Sequence, residues 1–108
     1  MATSTTMKRG DLEPPLTITC TDNGSPLNLS GASSVRVLIS RNGTIVVNDT
    51  APDLTGAASG VVVHEWVAGE TATAGVLSVE VEVTWPTARP QTFPPDGSLH
   101  VVISADLG

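Results

Sequence analysis

The run Val76-Leu77-Ser78-Val79-Glu80-Val81-Glu82-Val83-Thr84-Trp85 alternates apolar and polar residues in twos. Successive side chains on a strand point to opposite faces. This segment therefore offers one face of Leu77, Val79, Val81, Val83 and Trp85, and another of Ser78, Glu80, Glu82 and Thr84. The first face belongs in a core and the second in water. Val35 to Ser40 repeats the pattern, and Arg41-Asn42-Gly43-Thr44 follows it. Asn-Gly is the favoured pair for a two-residue type I′ hairpin, because both positions take positive φ. Thr44 to Val47 is then the return strand. Leu16 to Cys20, Gly60 to Trp66 and Leu99 to Ser104 supply further strands, and Leu27 to Leu29 a short one.

Helical spacing is nearly absent. Ala51 to Ser59 and Val67 to Gly75 have room for a turn of helix, but Gly or Pro interrupts both. Six or seven short strands separated by turn signals predict an all-β fold, an antiparallel β-sandwich of roughly immunoglobulin size. Its core is expected to hold Leu16, Ile18, Val35, Val37, Ile39, Leu77, Val79, Val81, Val83, Leu99, Val101 and Ile103. Ahead of this single domain (residues 9–108), the segment Met1, Ala2, Thr3, Ser4, Thr5, Thr6, Met7, Lys8 is mostly polar and has no period. It reads as a flexible arm. Its own apolar surface is too small to offset about 1–2 kcal/mol per residue of backbone entropy. An ordered arm is therefore expected to lie on a neighbouring subunit, which makes these eight residues the candidate assembly contact.

Composition narrows the function. The chain of 108 residues is 40% hydrophobic but only 3% aromatic and 15% charged, so Val, Leu, Ile and Ala must build the core and Thr, Ser and Gly much of the surface. A weakly charged surface costs little to desolvate, which suits a module packed into a larger assembly. Net charge is −6, and the basic residues Lys8, Arg9, Arg36, Arg41 and Arg89 are scattered apart from the first two. Nucleic acid needs a basic stripe and stacking aromatics, and neither is present. No apolar run reaches the length of a membrane span, and the N-terminus has no secretory h-region. The expectation is synthesis in the cytoplasm with no membrane partner.

Candidate chemistry is thin. Cys20 is the single cysteine and falls in phase with Leu16 and Ile18, as a small buried hydrophobe would. His64 and His100 lie within predicted strands without the companion ligands that a zinc site needs, so structural roles are expected and no metal or cofactor. Glu80 and Glu82 project from one face about 7 Å apart, near the span of paired glycosidase carboxylates. Such acids normally come from different strands across a cleft, so the pattern favours two solvated side chains. No nucleophile elbow or phosphate-cradling loop is present. The sequence predicts no enzyme.

Several short motifs in order resemble a known family. Arg9-Gly10-Asp11, Pro15-Leu16, Asp22 through Ala32 and Val35 to Val37 are similar to the opening of the immunoglobulin-like domain at the N-terminus of phage upper baseplate proteins. Gly60 to Val63, Trp66, Glu70-Thr71 through Gly75, the long alternating strand, and Thr92-Phe93-Pro94 before the last strand follow in the same order. The resemblance spans residues 8–107 and implies an immunoglobulin-like antiparallel sandwich of about seven strands in a tailed-phage particle. It differs in having Leu77 where the family often has Tyr or Phe, and in stopping at Gly108 where family members continue into coiled-coil or receptor-binding regions.

The expected function is a non-enzymatic virion protein, an adaptor in the tail, neck or baseplate. It would be present in multiple copies beside other virion subunits. A capsid decoration protein is the alternative, and a carbohydrate- or cell-surface-binding module a further one. Arg9-Gly10-Asp11, although it spells an integrin signal, is expected to be structural: Gly10 for a bend, and Asp11 to accept backbone hydrogen bonds.

Overall fold

In the computed structural model, which describes residues 3–95 and 99–105, the alternating run becomes the central strand β8, Gly75–Trp85. Its side chains are buried and exposed in turn, and Leu77, Val79, Val81 and Val83 are fully buried. One edge of β8 pairs with β5 (Ser34–Arg41), setting Val35, Val37 and Ile39 opposite Val83, Val81 and Val79. The other edge is shared. β10 (Leu99–Ser104) takes its first half, with Val101 opposite Leu77, and β9 (Arg89–Phe93) takes its second, with Phe93 opposite Val81. β6 (Thr44–Asp49) lies outside β5 and completes the predicted hairpin. Asn42 and Gly43 have φ of 52° and 82°, as a type I′ turn requires.

β2 (Leu16–Thr19) pairs with β7 (Val61–His64) to form a smaller sheet. β3 (Thr21–Asp22) and β4 (Ser25–Pro26) form a minimal hairpin. Leu16, Ile18 and Val62 of the small sheet join the inner face of the large one in a single core. The fold is an all-β sandwich. Gly60 sits where two segments cross: a Cβ there would lie 2.6 Å from the Cys20 carbonyl oxygen and 2.9 Å from that of Leu27. The same crossing carries hydrogen bonds from Cys20 N–H to Gly60 O and from Leu27 N–H to Cys20 O. Only glycine fits.

Every predicted core residue is buried except Leu99, which is half-buried against the cluster. Leu29, Val47, Ala57, Trp66 and Phe93 join them.

Four expectations are corrected. The segment read as a flexible arm is instead strand β1 (Thr3–Lys8), paired in parallel with β10 from Thr3↔Leu99 to Lys8↔Ser104. Its own composition was the wrong measure, because the edge of β10 provides hydrogen-bond partners and Met7 packs against the core. The Thr3–Lys8 part of the candidate assembly contact is thus an edge strand of its own domain, while Met1 and Ala2 lie outside the described residues. The sandwich is consequently not antiparallel throughout. Leu27 to Leu29 forms no strand; Leu29 is buried in an irregular segment, its N–H bonded to Ala57 O. Among the described residues only Ala57–Ser59 makes a helical turn, of 3-10 type, and Val67 to Gly75 has none.

Candidate functional site

Strand β7 alternates half-buried and buried residues, so its last residue, His64, points inward and is 2% exposed. A buried imidazole needs partners for both nitrogens. Nδ1 lies 2.7 Å from Asp49 Oδ2 at the end of β6, and Nε2 lies 2.9 Å from Glu70 Oε1 in the turn before β8. Carboxylate oxygens accept, so the arrangement is complete when both ring nitrogens carry hydrogen. Each carboxylate is itself pinned. Asp49 Oδ1 accepts from Ala51 N–H at 3.0 Å, and Glu70 Oε1 accepts from Val67 N–H at 2.8 Å. Trp66 meets the ring edge-on, with centroids 5.1 Å apart. The cluster ties β6, β7 and residues 65–70 together.

The two carboxylates lie on opposite ring nitrogens and do not converge on one point. Among the described residues, no group of three or more His, Cys, Asp or Glu is placed to hold a metal ion.

A second lock joins two segments of the sequence 60 residues apart. Gly10, with φ of 85°, turns the chain after β1, and its N–H donates to Thr71 O at 2.9 Å. The Thr71 hydroxyl, fully buried, donates to Asp11 O at 2.9 Å. Arg9 N–H donates to Ser104 O. The bend expected at Gly10 is present, whereas Asp11 is held through its backbone rather than its carboxylate.

The other chemical candidates are dispersed. Glu80 is exposed beside Leu38, while Glu82 binds Arg36 through Oε1, at 2.8 Å from Nε and 2.7 Å from a terminal nitrogen. One carboxylate of the pair is therefore neutralised. His100 is half-buried on β10, in register with Ser4 and Ser78. Cys20 is 1% exposed, and burial pushes its thiol up to about 11, which keeps it protonated and unreactive at neutral pH. Trp66 and Phe93 are buried, and Trp85 is half-buried, donating its indole N–H to Gln91. No aromatic stands out as a sugar-stacking platform.

The surface beside the His64 cluster is the distinctive one. Asp49, Asp53, His64, Glu65 and Glu70 line a hollow of about 420 Å³ together with Val46, Val67 and neighbouring backbone. Val46 and Val67 are 50% and 60% exposed. Val46 is the extra residue of a bulge, since Ile39 faces Val47 while the adjacent Ser40 faces Ile45. That bulge turns an additional aliphatic side chain out on the edge of the sheet. Sequence reasoning missed this cluster, although a histidine in phase with Val62 was its one visible sign.

Among the described residues no helix is long and apolar enough to cross a membrane. No family model, curated protein or solved structure matches the chain.

Proposed function

We propose that this chain is a non-enzymatic structural module of a tailed-phage or phage-like particle, an immunoglobulin-like adaptor in the tail, neck or baseplate. One observation carries the reading best. Six large aliphatic residues, Leu12, Ile45, Val46, Leu54, Val67 and Val76, are each more than a third exposed on a chain with only 15% charged residues. Scattered singly they would mean little, but Val46 and Val67 line one hollow, as residues of an interface do. The most organised polar groups, around His64 and Thr71, are spent on holding the fold. The ordered motifs described above supply the particle context.

The test is quantitative mass spectrometry of purified particles from the encoding phage, with neutralising antibody or gold labelling to place the chain. A fixed copy number set by tail symmetry is expected. Copy number equal to that of the major capsid protein, with label over the head, would replace the tail reading by capsid decoration. Absence from particles would remove both.

A further inference from the structure

The exposed aliphatic flank of β6 and the hollow beside it have a chemistry that selects an occupant. Part of its lining is apolar, with Val46 and Val67 half or more exposed. The rest of its lining is acidic: Asp49, Asp53, Glu65 and Glu70 stand against one imidazole, Asp53 and Glu65 being exposed. Asp49 and Glu70 are held in place by His64 and by the backbone N–H groups of Ala51 and Val67. Glu70 does all this with Oε1, and its Oε2 is left over. Asp53 accepts from Thr55 N–H and hydroxyl through Oδ1 alone, which holds its carboxyl below the usual range and leaves Oδ2 for another donor. Glu65 is exposed at the same hollow. Arg41 lies around the corner, in the adjoining hollow of about 320 Å³, with its guanidinium engaged by the Thr73 and Ala74 carbonyls. It does not neutralise the acids at Asp53 and Glu65.

Exposed aliphatic and acidic side chains lining one hollow are the complement of a long basic side chain, whose methylene stem packs on aliphatic surface while its head seeks carboxylates. Carboxylates fixed beforehand lose little freedom on receiving it. Outside the hollow, no described backbone hydrogen bond reaches β6 except those to β5, so the partner's main chain also has an edge to lie along.

We infer that the β6 flank is a docking surface for a different virion protein that inserts a Lys or Arg side chain between Val46 and Val67, with its head at Asp53, Glu65 and Glu70. The inference rests on the assembly reading above and names the partner's chemistry. It is tested in assembled particles. A photo-crosslinking amino acid is placed at Val67 and, as a control, at Val76, which is comparably exposed at 52% but belongs to β8. In parallel, Glu65→Lys and Asp53→Lys are combined, with a thermal melt to confirm folding. Crosslinks from position 67 should map to another virion protein within a few residues of a Lys or Arg. The charge reversal should lower incorporation about tenfold or more, as loss of complementary charge does at interfaces. Crosslinks no more frequent at 67 than at 76, a crosslinked segment without a basic residue, or crosslinks only to a second copy of this chain would overturn the inference. Normal incorporation of the double reversal would do the same. A wild-type chain absent from particles would instead remove the assembly reading, and the docking surface with it.

Discussion

At His64 both ring nitrogens meet carboxylate oxygens, so one ring holds two acids on different elements. Replacing it by Ala leaves Asp49 and Glu70 facing each other across a void. Leaving a buried hydrogen-bonding group without its partner costs about 1–3 kcal/mol, and more for charged groups. Two carboxylates lose a partner, but they are 20% exposed and recover some water, so a loss of about 3 kcal/mol is expected for His64→Ala. Urea melts measure it directly, and His64→Gln should fall between, since a neutral amide satisfies one carboxylate only. A His64→Ala midpoint close to the parent's would mean that the cluster holds nothing together. Thr71 shows the same logic without charge. Its hydroxyl and carbonyl lock the Gly10 turn, so the Arg9-Gly10-Asp11 and Glu70-Thr71 motifs, remote in sequence, meet as two halves of one joint. The sequence showed each motif, but their contact depends on side-chain reach that periodicity does not encode.

Strands differ in how plainly sequence announces them. β5 and β8 have one face in the core and one in water, so alternation marks them, and Asn42-Gly43 marks the turn out of β5. β9 buries only Phe93 and contains Pro90, so it carries no period. β1 is an edge strand of Thr, Ser, Met and Lys, and its order comes from β10 rather than from itself. This pairing sets the expectation for truncation. Removing residues 1–8 strips the parallel ladder from β10 and uncovers the core beside Met7. Each ladder bond contributes about 1 kcal/mol net, and ordering the strand consumes much of that. A melting temperature lower by about 5–15 °C is expected, following the usual scaling for a small domain. Calorimetry of the truncated chain checks this, and sizing chromatography should show more self-association as the β10 edge is bared. An unchanged melting temperature would restore the view of these residues as an arm.

One core runs through both sheets, from Ile18 and Val62 on one side to Val37, Val81 and Val101 on the other, so no part of the sandwich can open without exposing the rest. The fold class was legible because that core is written as alternation. The docking flank was not, because it arises from a bulge at Val46 and from acids gathered from the end of β6, the segment just after β7 and the connections at Asp53 and Glu70. Unity of the core predicts cooperativity. Trp66 packs beside the small sheet and Trp85 extends the large one, so their fluorescence and the far-ultraviolet dichroism should change in one coincident transition. Val81 is the sharpest probe of that unity. It is fully buried, opposite Val37 on one side and Phe93 on the other. An aspartate there would bury a carboxylate with no partner, at a cost of several kcal/mol beyond the lost packing. Stability margins of about 5–15 kcal/mol leave little room for such a loss. Val81→Asp should therefore abolish the folded state throughout, flattening both tryptophan and dichroism signals. Val76→Asp, on the exposed face of the same strand, should melt within about 0.5 kcal/mol of the parent. A Val81→Asp chain that kept a cooperative melt near wild type would show that the two sheets do not share this core.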